Sequence, residues 1–100
     1  MYIIVGTERA SVLRETHTVL SLEKIVHEGT EDRAYCVVSS ESINFIEIPQ
    51  LKQYIDLHEQ FVAEYEKENY KFCRDWVEHL YVKFGGELDT FYDEILKRIS

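Results

Sequence analysis

Two His-Glu dipeptides, His27-Glu28 and His58-Glu59, open like the HExxH signature, in which imidazoles on successive helical turns hold zinc and the glutamate serves as base. The second imidazole is missing each time, since position 31 is Glu and position 62 is Val. Asp75 and His79 stand four apart, so a helix would place them on one face, where a carboxylate orients an imidazole base or shares a metal with it. A small metal-dependent or acid/base enzyme would use this pair together with His58. It would still need a nucleophile or a third ligand, and an ordinary surface pair is the simpler expectation for Asp75 and His79. His58 falls within an apolar helical stripe, where a core histidine needs only one or two hydrogen-bond partners.

The remaining chemical motifs are fragmentary. Cys36 and Cys73 have no CxxC partner and sit in apolar surroundings, the setting of small buried hydrophobes rather than of reactive thiolates. Gly6-Thr7 lies at a strand-to-helix junction that could offer backbone amides to a phosphate, but the further glycines of a dinucleotide or phosphate loop are absent. No GxSxG elbow occurs. The expectation is a non-enzyme with no catalytic residue, no bound metal and no cofactor.

The elements that must position these residues follow from periodicity. Residues 2–6 form a continuous apolar run ended by glycine, the pattern of a strand buried on both faces, and Thr7 can cap a short helix from Glu8 to about Thr16 that buries Ala10 and Leu13. Residues 18–26 and 33–39 are rich in strand formers and flank the acidic turn Glu28–Asp32, which predicts a hairpin. Ala34, Cys36 and Val38 alternate with Tyr35 and Val37, so both faces of that second strand are apolar and it belongs at the centre of the sheet. After a polar link at 39–42, residues 43–48 read as either a strand or an extended lead-in, and Pro49 marks a helix start. Leu51, Ile55, His58, Val62 and Tyr65 then define one helical stripe. Tyr70, Cys73, Val77, Leu80 and Phe84 define a second, capped by Asn69 and stopped by Gly85-Gly86, and Leu88, Phe91, Tyr92, Ile95, Leu96 and Ile99 define a third. The fold expected is α+β: a small three- or four-stranded sheet in βαββ order packed against three C-terminal helices. One domain would span 1–100, with a sheet-forming half at 1–48 and a helical half at 49–100.

Residues 57–84 carry Phe61, Tyr65, Asn69-Tyr70, Cys73, Val77 and Leu80, a first helix ending in Tyr, an Asn-Tyr turn and a small residue three positions on. This resembles a single tetratricopeptide-type helical hairpin, in which the turn aromatic packs between helices and the small residue permits close approach. Tyr65 stands one position out of that register and glycines replace the closing proline, and no second copy is present. Because such repeats bury their faces against neighbours, the resemblance implies a hairpin that docks on the sheet or on a partner. In size and charge the chain also resembles the small acidic accessory proteins of phages and mobile elements.

The formal charge is −8, divided as eight acids against four bases in residues 1–50 and eleven against seven in 51–100. That balance argues against direct binding to nucleic acid or to anionic membrane surfaces, and the absence of a long apolar stretch or basic leader points to the cytoplasm. Ten of the thirteen aromatic residues fall in the second half, and Phe72, Trp76 and Tyr81 lie off the buried stripe of their helix. The leading expectation is a protein-interaction module. Its partner would be a protein, unidentified by the sequence and basic in surface if the glutamates take part. The candidate contacts are Glu59, Glu64, Glu66 and Glu68 together with Phe72, Trp76 and Tyr81. One alternative is an inhibitor whose carboxylates imitate nucleic-acid phosphates toward a basic groove. Another is a homodimer that completes the core.

Overall fold

The computed structural model describes residues 2–27, 29–38 and 45–99. Strand β1 (Tyr2–Val5) leads into helix α1 (Thr7–Leu13), and strands β2 (Thr18–His27) and β3 (Thr30–Val38) form the hairpin. Helices α2 (Leu51–Glu66), α3 (Tyr70–Trp76) and α4 (Asp89–Ile99) follow, joined by short 3₁₀ segments. Among the described residues the sheet has three strands in the order β1-β3-β2, all antiparallel. The α+β class holds, and β3 is the central strand. The 39–42 link and the start of the 43–48 segment lie outside the described residues. Phe45–Gln50, read in part as strand or extended lead-in, is a 3₁₀ helix enclosing Pro49, and α2 begins two residues after that proline, at Leu51.

The alternation in β3 divides two cores. Cys36 and Val38, with Leu20 and Leu22 of β2, face α2, α3 and α4, where Phe61, Cys73, Leu80, Tyr92 and Ile95 are all fully buried. Tyr35 and Val37, with Ile4 and Val19, face α1 and its buried Ala10. A bulge in β2 keeps its apolar residues on the right faces. Between Ser21 and Lys24 that strand advances three residues while β3 advances two, from Tyr35 to Arg33, so side chains on the helical side change from even to odd numbers. The Leu22 carbonyl freed at the bulge accepts from Arg33 Nη1 at 2.9 Å, and Arg33 Nη2 grips both oxygens of Glu66 on α2 at 2.8 and 3.1 Å.

Four expectations from sequence change. Thr30–Asp32, expected in the turn, continue the strand, with Thr30 opposite His27 and Gly29 left-handed at φ 77°, because each further pairing satisfies backbone groups that a longer turn leaves open. Strand β1 is not buried on both faces: only Ile4 is covered, while Tyr2, Ile3 and Val5 are 51%, 59% and 42% exposed, since β1 is an edge strand that the helices do not fully cover. Gly6 rather than Thr7 caps α1, which ends at Leu13, and the Thr7 hydroxyl instead meets the Tyr35 hydroxyl at 3.1 Å. The helix expected over 70–84 stops at Trp76. Its Trp, Val, His, Tyr and Phe residues are weak helix formers, and breaking it brings Val77, Leu80, Phe84 and Leu88 all into the core. The break leaves Val82 and Phe84 at φ 57° and 53°, with the Val82 amide held by Asp89 Oδ1 at 2.9 Å.

Arg33→Met should lower the free energy of unfolding by about 1–3 kcal/mol in urea titration, because it leaves the Leu22 carbonyl and Glu66 without their donor. Lys24→Met, which removes two partly exposed ion pairs, with Glu31 at 3.5 Å and Glu66 at 3.7 Å, should change it by less than about 1 kcal/mol.

Candidate functional site

Helix α3 is two turns long and starts at Asn69, whose side-chain oxygen accepts from the Phe72 amide at 3.5 Å. Phe72 and Trp76, four apart, share a face of it, and their rings stack with centroids 5.9 Å apart at 23°. Trp76 is 44% exposed, and the His79 ring on the following 3₁₀ turn is tilted 46° to it with centroids 5.3 Å apart. The result is a surface row of Phe72, Trp76 and His79, with the Glu78 carboxylate 3.8 Å from the imidazole. Tyr81 does not join it. Its hydroxyl donates to Asp93 of α4 at 2.5 Å and its ring stands edge-on to Tyr92, and partial burial, with Asp93, pushes its phenol up to about 12.

The four glutamates are differently occupied. Glu59 accepts from the Ser21 amide at 3.1 Å and lies 3.6 Å from Arg14. Glu66 holds Arg33 and Lys24, and Glu64 accepts from the Asn69 side chain at 2.7 Å with Lys67 3.7 Å away. Only Glu68, in a left-handed conformation at φ 65° after α2, has its carboxylate unpartnered among the described residues. Three of the four carboxylates thus meet cations or donors of their own chain.

His58 is fully buried and both ring nitrogens are used. Nε2 lies 2.7 Å from the Ser21 carbonyl, which only accepts, so Nε2 carries the proton. Nδ1 then accepts from the Tyr92 hydroxyl at 2.8 Å. Phe84, Phe91 and Tyr92 surround the imidazole at 5.7–6.2 Å. Burial lowers its pKa below the ordinary 6.5, with the Ser21 bond and Glu59 opposing, so the ring is neutral. Burial likewise drives the Tyr92 phenol upward. His58 is the hydrogen-bonded core histidine.

The structure does not bring His58, Asp75 and His79 together. Asp75 pairs with Lys71 at 2.7 Å, while the His79 side chain is 56% exposed beside Trp76. No group of three His, Cys, Asp or Glu suited to a metal ion occurs among the described residues. Cys36 and Cys73 are both fully buried, and burial pushes each thiol up to about 11. The Gly6 amide is spent on the Arg33 carbonyl at 3.1 Å. Among the described residues no helix is long and apolar enough to cross a membrane.

Sequence reasoning missed the role of His79 beside Trp76, although the spacing of 72, 76 and 79 carries it, and it missed the exposed edge of β1, which no local pattern announces. Compared with protein-family models, with curated proteins and with solved structures, the chain matches none.

The unfolded chain takes up a proton at His58 near pH 6.5, whereas the folded chain resists it. The unfolded state therefore holds more protons below that pH, and stability should fall on acidification through 6.5 by up to about 1.4 kcal/mol per pH unit. Circular-dichroism melts from pH 8 to 5 should show a Tm that is level above about pH 7.5 and declines below 6.5. His58→Gln should be less stable at pH 8 and lose most of that decline.

Proposed function

We propose that this chain is a non-enzymatic protein-interaction module that engages its partner through the Phe72, Trp76 and His79 face. The observation that carries the reading is the half-exposed Trp76, stacked on Phe72 and in ring contact with His79 rather than folded inward. Prearranged aromatic side chains lose little rotamer freedom on binding, and tryptophan is the residue most enriched among interface anchors. The resemblance of residues 57–84 to a tetratricopeptide-type hairpin points the same way, as does the class resemblance to small acidic phage or mobile-element proteins. A cytoplasmic setting suits two free, buried cysteines.

The chain's acidity supports a partner with basic surface, steered by the net −8. A nucleic-acid mimic centred on Glu59, Glu64, Glu66 and Glu68 has less support, because three of those carboxylates are held internally.

The tagged protein should capture its partner from bacterial lysate and retain it through a wash at about 0.5 M salt, where the screening length is a few Å. Trp76→Ala should lose at least tenfold in affinity with little change in Tm, whereas Glu68→Gln should lose less than threefold. Retention by Trp76→Ala together with loss by Glu68→Gln would move the reading to the anionic surface.

A further inference from the structure

The helical layer does not close evenly on the sheet. Helix α2 is seated on β2, whereas α4 is backed by α3 rather than by a strand. Between α4 and the strands lies a cavity of about 310 Å³, partly open to solvent. Its floor is the helical side of the sheet, with Leu22 and Ile25 of β2, Ala34 of β3 and Ile3 of β1, and Leu88 and Phe91 close it from above. Protein interiors pack as densely as organic crystals, and a hollow with apolar walls holds water poorly because it offers few hydrogen-bond partners. This one has roughly twice the ~150 Å³ that accommodates a benzene ring, which brings it into the size range of small-molecule pockets.

Ionisable side chains stand around the cavity, and each is already committed. Glu23 pairs with Arg98, Glu94 lies 3.9 Å from Lys97, and Glu87 is engaged as well. A cationic ligand would have to displace one of these partners. An anionic one would meet three carboxylates on a chain of −8. The surroundings therefore favour a molecule without charge, and the walls favour one that is mostly apolar.

We infer that this cavity is a binding site for an uncharged, largely apolar small molecule with the bulk of two fused rings. Phe91 offers an aromatic face to one side of the ring system and the aliphatic floor receives the other. The Thr90 hydroxyl, also on the lining, gives one polar handle for a hydroxyl or carbonyl of the ligand. Ile3, 59% exposed, is covered in part when the ligand binds. The site is independent of the Phe72, Trp76 and His79 face.

The probe is N-phenyl-1-naphthylamine, an uncharged dye whose fluorescence rises in apolar surroundings, titrated into the full chain at about pH 7.5. Its competitors share one naphthalene and differ in the group it carries: 1-naphthalenemethanol is neutral, 1-naphthylmethylamine cationic and 1-naphthoic acid anionic. One dye should bind per chain in the micromolar range and be displaced by the alcohol, with the amine and the acid each at least tenfold weaker. Ala34→Leu, which fills the floor, should weaken the dye at least tenfold with an unchanged or raised Tm. Trp76→Ala should leave dye binding unchanged. No saturable binding up to 100 μM, equal displacement by all three competitors, full affinity in Ala34→Leu, or a loss with Trp76→Ala would each overturn the proposal. So would sedimentation of the protein alone as a dimer that 1-naphthalenemethanol dissociates, which would assign the cavity to a side chain of a second copy. If Ala34→Leu fails to fold, nuclear Overhauser contacts in the unaltered protein decide the question. Contacts from the naphthalene protons of the alcohol to the Ala34 and Leu88 methyls support the site, and their absence overturns it.

Discussion

A single neutral imidazole ties the sheet to the helical layer. The Ser21 carbonyl projects from the outer side of β2, where an unmet acceptor under a helix would carry a full desolvation penalty. His58 meets it with Nε2–H, and the same choice of tautomer obliges Nδ1 to accept, which in turn gives the otherwise buried Tyr92 hydroxyl a partner. The chain of donors runs one way, from α4 through α2 to β2, and each member is satisfied only because the next is. A charged ring would donate from Nδ1 as well, so the Tyr92 hydroxyl would have to become the acceptor and leave its own proton without a partner. The aromatic surround of Phe84, Phe91 and Tyr92 offers that proton no acceptor, so the same packing that fixes the bridge makes it intolerant of protonation.

This constraint separates inner from outer chemistry. Polar residues near the bridge, Glu59, Arg33 and Glu66 among them, hold α2 to β2 and are committed to the fold. Exposed surface free of these bonds lies away from it. The Phe72, Trp76 and His79 row sits on a short helix packed on α2 and α4, and the uncovered strand edge lies at the opposite side of the sheet from the bridged one. Tyr81, by its ring contact with Tyr92 and its bond to Asp93, is drawn toward the bridge and lost to the surface.

Much of the fold was legible in the sequence because it rests on periodicity. The alternation from Ala34 to Val38 placed β3 at the centre, and the stripe through His58 placed that ring in the core, since both depend on which face must be buried and not on what buries it. Strand β1 was misread for a related reason: Tyr-Ile-Ile-Val is equally apolar whether one neighbour covers it or two, and only topology distinguishes them. The helix expected through Phe84 failed because burial of Val77, Leu80, Phe84 and Leu88 outweighed continuity of a segment poor in helix formers. Among site residues, Trp76 and Phe72 were legible as leaving their helix stripe. The internal use of Glu59 and Glu66 was not, because their donors, Ser21 on β2 and Arg33 on β3, lie 38 and 33 positions away in strands whose register no local signal reports.

The division of the sheet into two faces also makes its two sides unequal in endurance. Among the described residues, thirteen buried ones join β2 and β3 to the helices, whereas five hold α1 against the other face, with Leu13 partly covered beside them. The free energy needed to detach an element scales with the apolar surface it exposes. Helix α1 can therefore lift away in a sub-global opening while the bridged side stays closed. The molecule then breathes from one side, and backbone amides in α1 exchange with solvent by a route that never breaks the contact between His58 and Ser21.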